Sequence, residues 1–213
     1  MLELDALFDT MEFEDNGGLV VASVRWPGRG CELLLNVRTG EEAAPRQAWR
    51  VWCTDFRASR LSVAWVDRAE LAAEHPLLFP YTEPHGKLAF LGRPTDSRVV
   101  VADLWEVHRL ATDLWHPFEA FFNPGLPLTE LLASNSGLLA EGPVSLLERY
   151  AGVLRDHGLE PSIFGQRPPV RWLDGAWRPE APDLRAFILG ESFVVGAGFE
   201  VKRVGLDVLD RVT

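Results

Sequence analysis

The chain has 213 residues, 47% hydrophobic and 24% charged, with a formal net charge of −10 and only two cysteines. That profile excludes a disordered chain and a disulfide scaffold. It also disfavours nucleic acid and anionic membrane as partners, because affinity for phosphate surfaces comes from an excess of Lys and Arg.

Charge is unevenly spread. Glu3, Asp5, Asp9, Glu12, Glu14 and Asp15 crowd the first sixteen residues with no Lys or Arg among them. The reading is a solvated acidic face, or a lure for a basic partner. Nineteen of the 21 basic residues are Arg; only Lys87 and Lys202 are Lys, which leaves little room for lysine chemistry. The start shows no basic segment followed by an apolar run, so no signal peptide is expected. No stretch approaches eighteen apolar residues, so no membrane helix is expected. Together these predict a cytoplasmic protein whose Cys31 and Cys53 are buried, reduced thiols.

The N-terminal third reads as antiparallel strands: Leu19–Trp26, Cys31–Arg38, Gln47–Thr54 and Arg60–Val66, separated by Gly, Pro and Asn. Short β-rich runs between turn residues are the hairpin signature. Side chains alternate faces along a strand. The predicted inward sets are Val20, Ala22, Val24 and Trp26; Cys31, Leu33, Leu35 and Val37; Trp49, Val51 and Cys53; and Leu61, Val63 and Trp65. A hairpin centred near Glu42 would set Cys31 opposite Cys53. The other face carries Ser23, Arg25, Glu32, Asn36, Arg38, Arg50 and Thr54, with Leu34 and Trp52 as apolar exceptions.

The segment 75–86, HPLLFPYTEPHG, reads as irregular loop, then Lys87–Gly92 as a strand. A helix should run from Asp96 to near Trp115, with Leu104, Val107, Ala111, Leu114, Trp115 and Phe118 at three- and four-residue steps. Pro117 should stop it. About twenty residues of helix would span on the order of 30 Å. The segment from Asn123 reads as a linker with a short helical turn. A second helix is bounded by Pro143 at its start and Gly158 at its end, with Val144, Leu147, Ala151 and Leu154 as its stripe. Further strands follow, with turns at Asp174-Gly175 and Gly190-Glu191, and strands near Ser192–Val195 and Phe199–Val204. The expected fold is α+β. A largely antiparallel sheet of five or more strands carries two main helices on one face, in a single domain over 1–213 with a sub-boundary near 123–128.

Motifs for chemistry are scarce. Gly196-Ala197-Gly198 lacks a third glycine and a following helix, so it does not make a phosphate loop. Ser192 in GESFV lacks the second glycine of a nucleophile elbow. His108 and His116 are eight residues apart, about 12 Å along a helix axis, too far to share a metal. His108 adjoins the apolar stripe and reads as a satisfied core histidine. Asp103, Glu106, Arg109 and Asp113 read as a solvated face. No cofactor and no metal are expected.

Two functions follow. The first is a non-catalytic protein-binding or accessory protein, adaptor-like or immunity-like, that meets its partner through Arg25, Arg38, Arg50 and Trp52 on the open sheet face. Arg and Trp are enriched at interface hot spots. A homo-oligomer is compatible with this reading. The alternative is a small hydrolase or lyase using Glu83 and His85, beside Tyr81 in the proline-rich loop, as acid and base. A deep pocket joining those side chains to a third polar group would mark it.

Overall fold

A computed structural model of the chain describes residues 18–38, 46–181 and 183–210. The acidic start and the loop about Glu42 lie outside them. Among the described residues no helix is long and apolar enough to cross a membrane. The chain is α+β with antiparallel sheets. It divides into two compact units: residues 76–180 form one, and the segments on either side form the other. Residues 123–128 lie inside the middle unit.

The first unit is built from β1 (Gly18–Arg25), β2 (Cys31–Arg38), β3 (Gln47–Thr54), β4 (Ala58–Arg60) and β5 (Ala69–Ala72). The late strands β11 (Arg185–Leu189), β12 (Ser192–Gly196) and β13 (Gly198–Val204) complete it. They form two four-stranded antiparallel sheets, β1-β2-β3-β13 and β4-β12-β11-β5. The expected single sheet of five or more strands is therefore corrected: among the described residues, strands are shared among sheets of at most four. Pairing of β13 with β3 answers where the C-terminal strands go, since one of them extends the N-terminal sheet.

The core of this unit holds Leu19, Val21, Cys31, Leu33, Leu35, Val37, Val51 and Cys53, joined by Phe187, Leu189 and Val194. The inward faces expected for β2 and β3 are thus the buried ones. Cys31 lies directly opposite Cys53 in the register. For β1 the expected parity is reversed in the first half of the strand and holds at Val24. Leu19 and Val21 point inward, and a bulge between Val21 and Ser23 then turns Val24 inward as well. LVVASV is apolar in both registers, so alternation alone could not choose; the extra residue of a bulge changes phase mid-strand. Arg60–Val66 is also corrected. Only Ala58–Arg60 pairs as a strand, and Val63 is 85% exposed. Ser62 is held instead by the Ser192 hydroxyl, which accepts from its backbone N–H at 2.9 Å.

The middle unit is a three-stranded antiparallel sheet, ordered β7-β6-β8, with helices on it. Its elements are α1 (Phe79–Thr82), β6 (His85–Leu91), α2 (Ser97–Thr112), α3 (Leu128–Ala133), β7 (Ser136–Pro143), α4 (Val144–Asp156) and β8 (Glu160–Arg167). A two-stranded ribbon of β9 (Val170–Leu173) and β10 (Ala176–Pro179) follows. Its turn has positive φ at both Asp174 (51°) and Gly175 (78°), the conformation a two-residue hairpin needs and one that Asp and Gly tolerate.

Helix α2 starts where expected, with the Asp96 side chain accepting from Arg98 N at 2.9 Å. It ends at Thr112, earlier than expected, because Asp113 and Leu114 both adopt left-handed φ. Its buried stripe is Val100, Leu104, His108 and Thr112, a four-residue repeat. Leu114, expected on that stripe, is exposed. Helix α4 presents Leu146, Leu147, Tyr150, Ala151, Val153 and Leu154 to the same core.

Candidate functional site

The four residues expected to meet a partner lie on the outer face of the β1-β2-β3-β13 sheet, and the register arranges that face in rows. Arg25 pairs with Glu32, Glu32 with Trp52, and Trp52 with Glu200. The next row runs Ser23, Leu34, Arg50, Lys202. After it come Asn36, Ala48 and Val204, and Arg38 ends β2 beyond them.

These rows do not share one environment. Helix α5 (Asp207–Asp210) folds over one end: Val208 and Leu209 pack on Leu34, Ala48 and Val204. Leu34, the apolar exception on this face, is therefore 4% exposed. The end holding Arg25, Glu32, Trp52, Arg50, Glu200 and Lys202 has no such cover among the described residues. The face is thus divided into a closed apolar half and an open half of alternating charge around a half-buried indole.

The geometry of the open half is loose. Arg50 Nε stands 3.7 Å from Glu32 Oε1, an ion pair without a hydrogen bond, and that buried Nε has no hydrogen-bond partner. Trp52 lies against the β1–β2 turn, where a Cβ on Gly30 would come within 3.1 Å of its ring. Beside the same turn, Trp26 is 51% exposed and meets Phe56 edge-on, with centroids 4.8 Å apart. Arg38 is separate: its guanidinium lies over the Trp65 ring at 5.0 Å. The structure therefore groups Arg25, Arg50 and Trp52, leaves Trp26 beside Phe56, which packs on the inner core, and sets Arg38 on an intramolecular stacking partner. The inward side expected for Trp26 agrees with its contact to Phe56, although the indole stays half exposed at the end of β1.

Glu83 and His85 are not brought to one another by any hydrogen bond or ion pair. The His85 ring nitrogen Nε2 donates to the Pro80 carbonyl at 2.9 Å. The Glu83 carboxylate accepts from the Ser145 hydroxyl in the first turn of α4. That helix has Pro143 as its N-cap and no side-chain cap of its own. A carboxylate beside a helix N-terminus is favoured by the helix dipole, so Glu83 has a structural role there.

His108 is a fully buried histidine with both nitrogens used. Nε2 lies 2.9 Å from the His116 carbonyl, which can only accept, so Nε2 carries the proton. Nδ1 then accepts from the Tyr150 hydroxyl at 2.7 Å. Burial pushes the Tyr150 phenol well above its usual range. His116 in turn donates to the Pro76 carbonyl at 2.9 Å. The spacing of eight residues thus serves a hydrogen bond from helix to following loop. On the solvent side, Arg109 makes two hydrogen bonds to Glu106, at 2.6 and 3.0 Å, which hold that carboxyl below its usual range. His157 Nε2 donates to Asp103 at 2.6 Å. Among the described residues no three His, Cys, Asp or Glu gather closely enough to hold a metal.

The two thiols lie in the first unit's core. Burial raises Cys31 to about 11 and Cys53 to about 12; the neighbouring Cys31 adds to the rise at Cys53. Both are neutral thiols at neutral pH, which makes them poor nucleophiles. No protein-family model, curated protein or solved structure matches the chain.

Proposed function

We propose that the chain is a non-catalytic, cytoplasmic accessory protein that binds a protein partner through the open half of the outer sheet face. The observation that carries this reading is the division of that face. Where the face is apolar, the chain's own α5 covers it. Where it is left open, Trp52 and Arg50 sit among side chains of both signs. An indole and a guanidinium on a side chain 42% exposed offer a partner apolar area and cationic donors at once. The alternating charges would fix register and reject wrong partners rather than supply affinity.

The test is a pull-down from lysate of the source cell. Tagged wild-type chain is compared with an Arg50→Ala/Trp52→Ala variant, and bound proteins are identified by mass spectrometry. A stoichiometric partner held by the wild type and lost in the variant, at matched melting temperature, supports the reading. A partner held equally by both would remove it.

A further inference from the structure

The loop between α2 and α3 walls a cavity that the binding reading above does not use. Val101 of α2, Phe118, Phe122, Leu126 and Leu128 line an open pocket of about 360 Å³. Phe118 and Phe122 meet edge-to-face with centroids 4.8 Å apart, so two aromatic rings form one wall. That volume lies at the small end of the range for pre-formed ligand sites. It suits a ring with a short chain.

The wall is fixed before any ligand arrives. Pro124 and Pro127 both line the cavity, and each restricts its backbone φ. Asn123 ties the loop to β7: its backbone N donates to Leu139 O at 2.9 Å and its Nδ2 to Leu138 O at 3.0 Å. Its Oδ1 accepts from Gly125 N at 2.9 Å. The Asn123 amide is therefore engaged within the loop. Glu119 and Thr129 are the other polar residues of the lining, both exposed. Leu126, at the same loop, is 52% exposed although it is a large apolar side chain.

Apolar walls with one carboxylate at the rim select by charge. A carboxylate-bearing ligand would meet repulsion from Glu119, while an ammonium would meet attraction and a hydrogen-bond acceptor. The net charge of −10 raises the local concentration of cations in the same direction. We propose that this cavity binds a compact hydrophobic amine, with its hydrocarbon part against Phe118, Phe122 and Val101 and its ammonium on the Glu119 carboxylate.

Three probes of one shape separate charge from shape: 4-phenylbutylamine, 4-phenylbutanol and 4-phenylbutyrate. Binding is followed by calorimetry and by methyl shifts of Val101 and Leu128. The wild type should bind the amine about tenfold more tightly than the alcohol, with the acid weakest. Glu119→Gln changes an exposed side chain and should bring the amine down to the alcohol's affinity. Val101→Trp fills the cavity and should abolish binding of both; it is read only if its melting matches the wild type, and Glu119→Gln decides otherwise. No saturable binding of the amine up to about 10 mM, equal binding of amine and acid, or an unchanged amine affinity in Glu119→Gln would overturn the proposal.

Discussion

The two units bury polar atoms in opposite ways. The first unit's main hydrophobic cluster carries two sulfurs, Cys31 and Cys53, facing each other across β2 and β3, while its buried hydroxyl, Ser192, lies at the Ser62 segment. A thiol behaves there as a small hydrophobe. The middle unit buries an imidazole and a phenol, and every hydrogen-bonding position of the imidazole is matched: Tyr150 on one side, the His116 carbonyl on the other. Phe118 and Phe122 pack around this pair. A core of the first kind is tolerant, because exchange of one apolar group for another costs only volume. A core of the second kind is specific, because each polar atom depends on its partner.

The largest effect should come from charge placed in the tolerant core. Leu35→Asp or Val51→Asp buries an unpaired carboxylate and should unfold the first unit, a loss above about 4 kcal/mol. Circular dichroism and thermal melting would show it, and a well-folded Val51→Asp variant would contradict the face assignment of β3. Next comes the polar pair. His108→Leu should cost about 2–4 kcal/mol and Tyr150→Phe about 1–3 kcal/mol, since each strands a buried partner. The double variant should cost less than their sum, because with both gone neither is left unpaired. Simple additivity in denaturant melts would mean that the pair is not coupled.

The contrast also has a pH signature. The folded thiols titrate at about 11 and about 12, above the ordinary cysteine value of 9.0. A raised folded pKa means that the unfolded chain loses its protons first. The stabilisation is complete below about pH 9 and falls as pH rises toward 11 and 12. Tyr150 adds a loss of the same sign at higher pH. Denaturant titrations between pH 8 and 11 should show a falling stability, and Cys31→Ala/Cys53→Ala should flatten part of that slope. An unchanged slope in the double variant would place the titration elsewhere. The smallest effects belong to the surface. Asp96→Ala should cost about 1 kcal/mol through the lost cap of α2. Arg50→Ala should change stability by less than about 0.5 kcal/mol, because its ion pair is long and makes no hydrogen bond.

Much of the fold was legible where local chemistry and tertiary environment agree. Helix α4 lies between Pro143 and Gly158, and α2 begins at Asp96, because caps are local signals. The β2–β3 faces follow simple alternation. Legibility failed where the deciding term was not local. β7 (SGLLAEGP) has no β-branched residue, and β8 (EPSIFGQR) has one, so neither reads as a strand; their pairing with β6 makes them so. β5 (AELA) has helix-forming composition and is held as a strand by β11. The phase change in β1 depends on a bulge, and the end of α2 on two left-handed residues, neither of which a spacing rule contains.

The candidate site was legible to the same degree. Arg25, Arg50 and Trp52 could be placed on one face from parity alone. Parity could not see that α5 closes one end of that face or that Arg38 stacks on Trp65. Glu83 and His85 were adjacent in sequence space but are claimed separately by Ser145 and the Pro80 carbonyl.

The most direct test of the binding account is site-specific photocrosslinking in source cells. A benzoylphenylalanine is placed at Glu200, in the row of Trp52, and in a second chain at Glu148, on the exposed side of α4. The account predicts a discrete protein adduct from position 200 that disappears when Arg50→Ala/Trp52→Ala is added, and none from position 148. Adducts from position 148 alone, or an adduct from 200 that survives the double substitution, would contradict it.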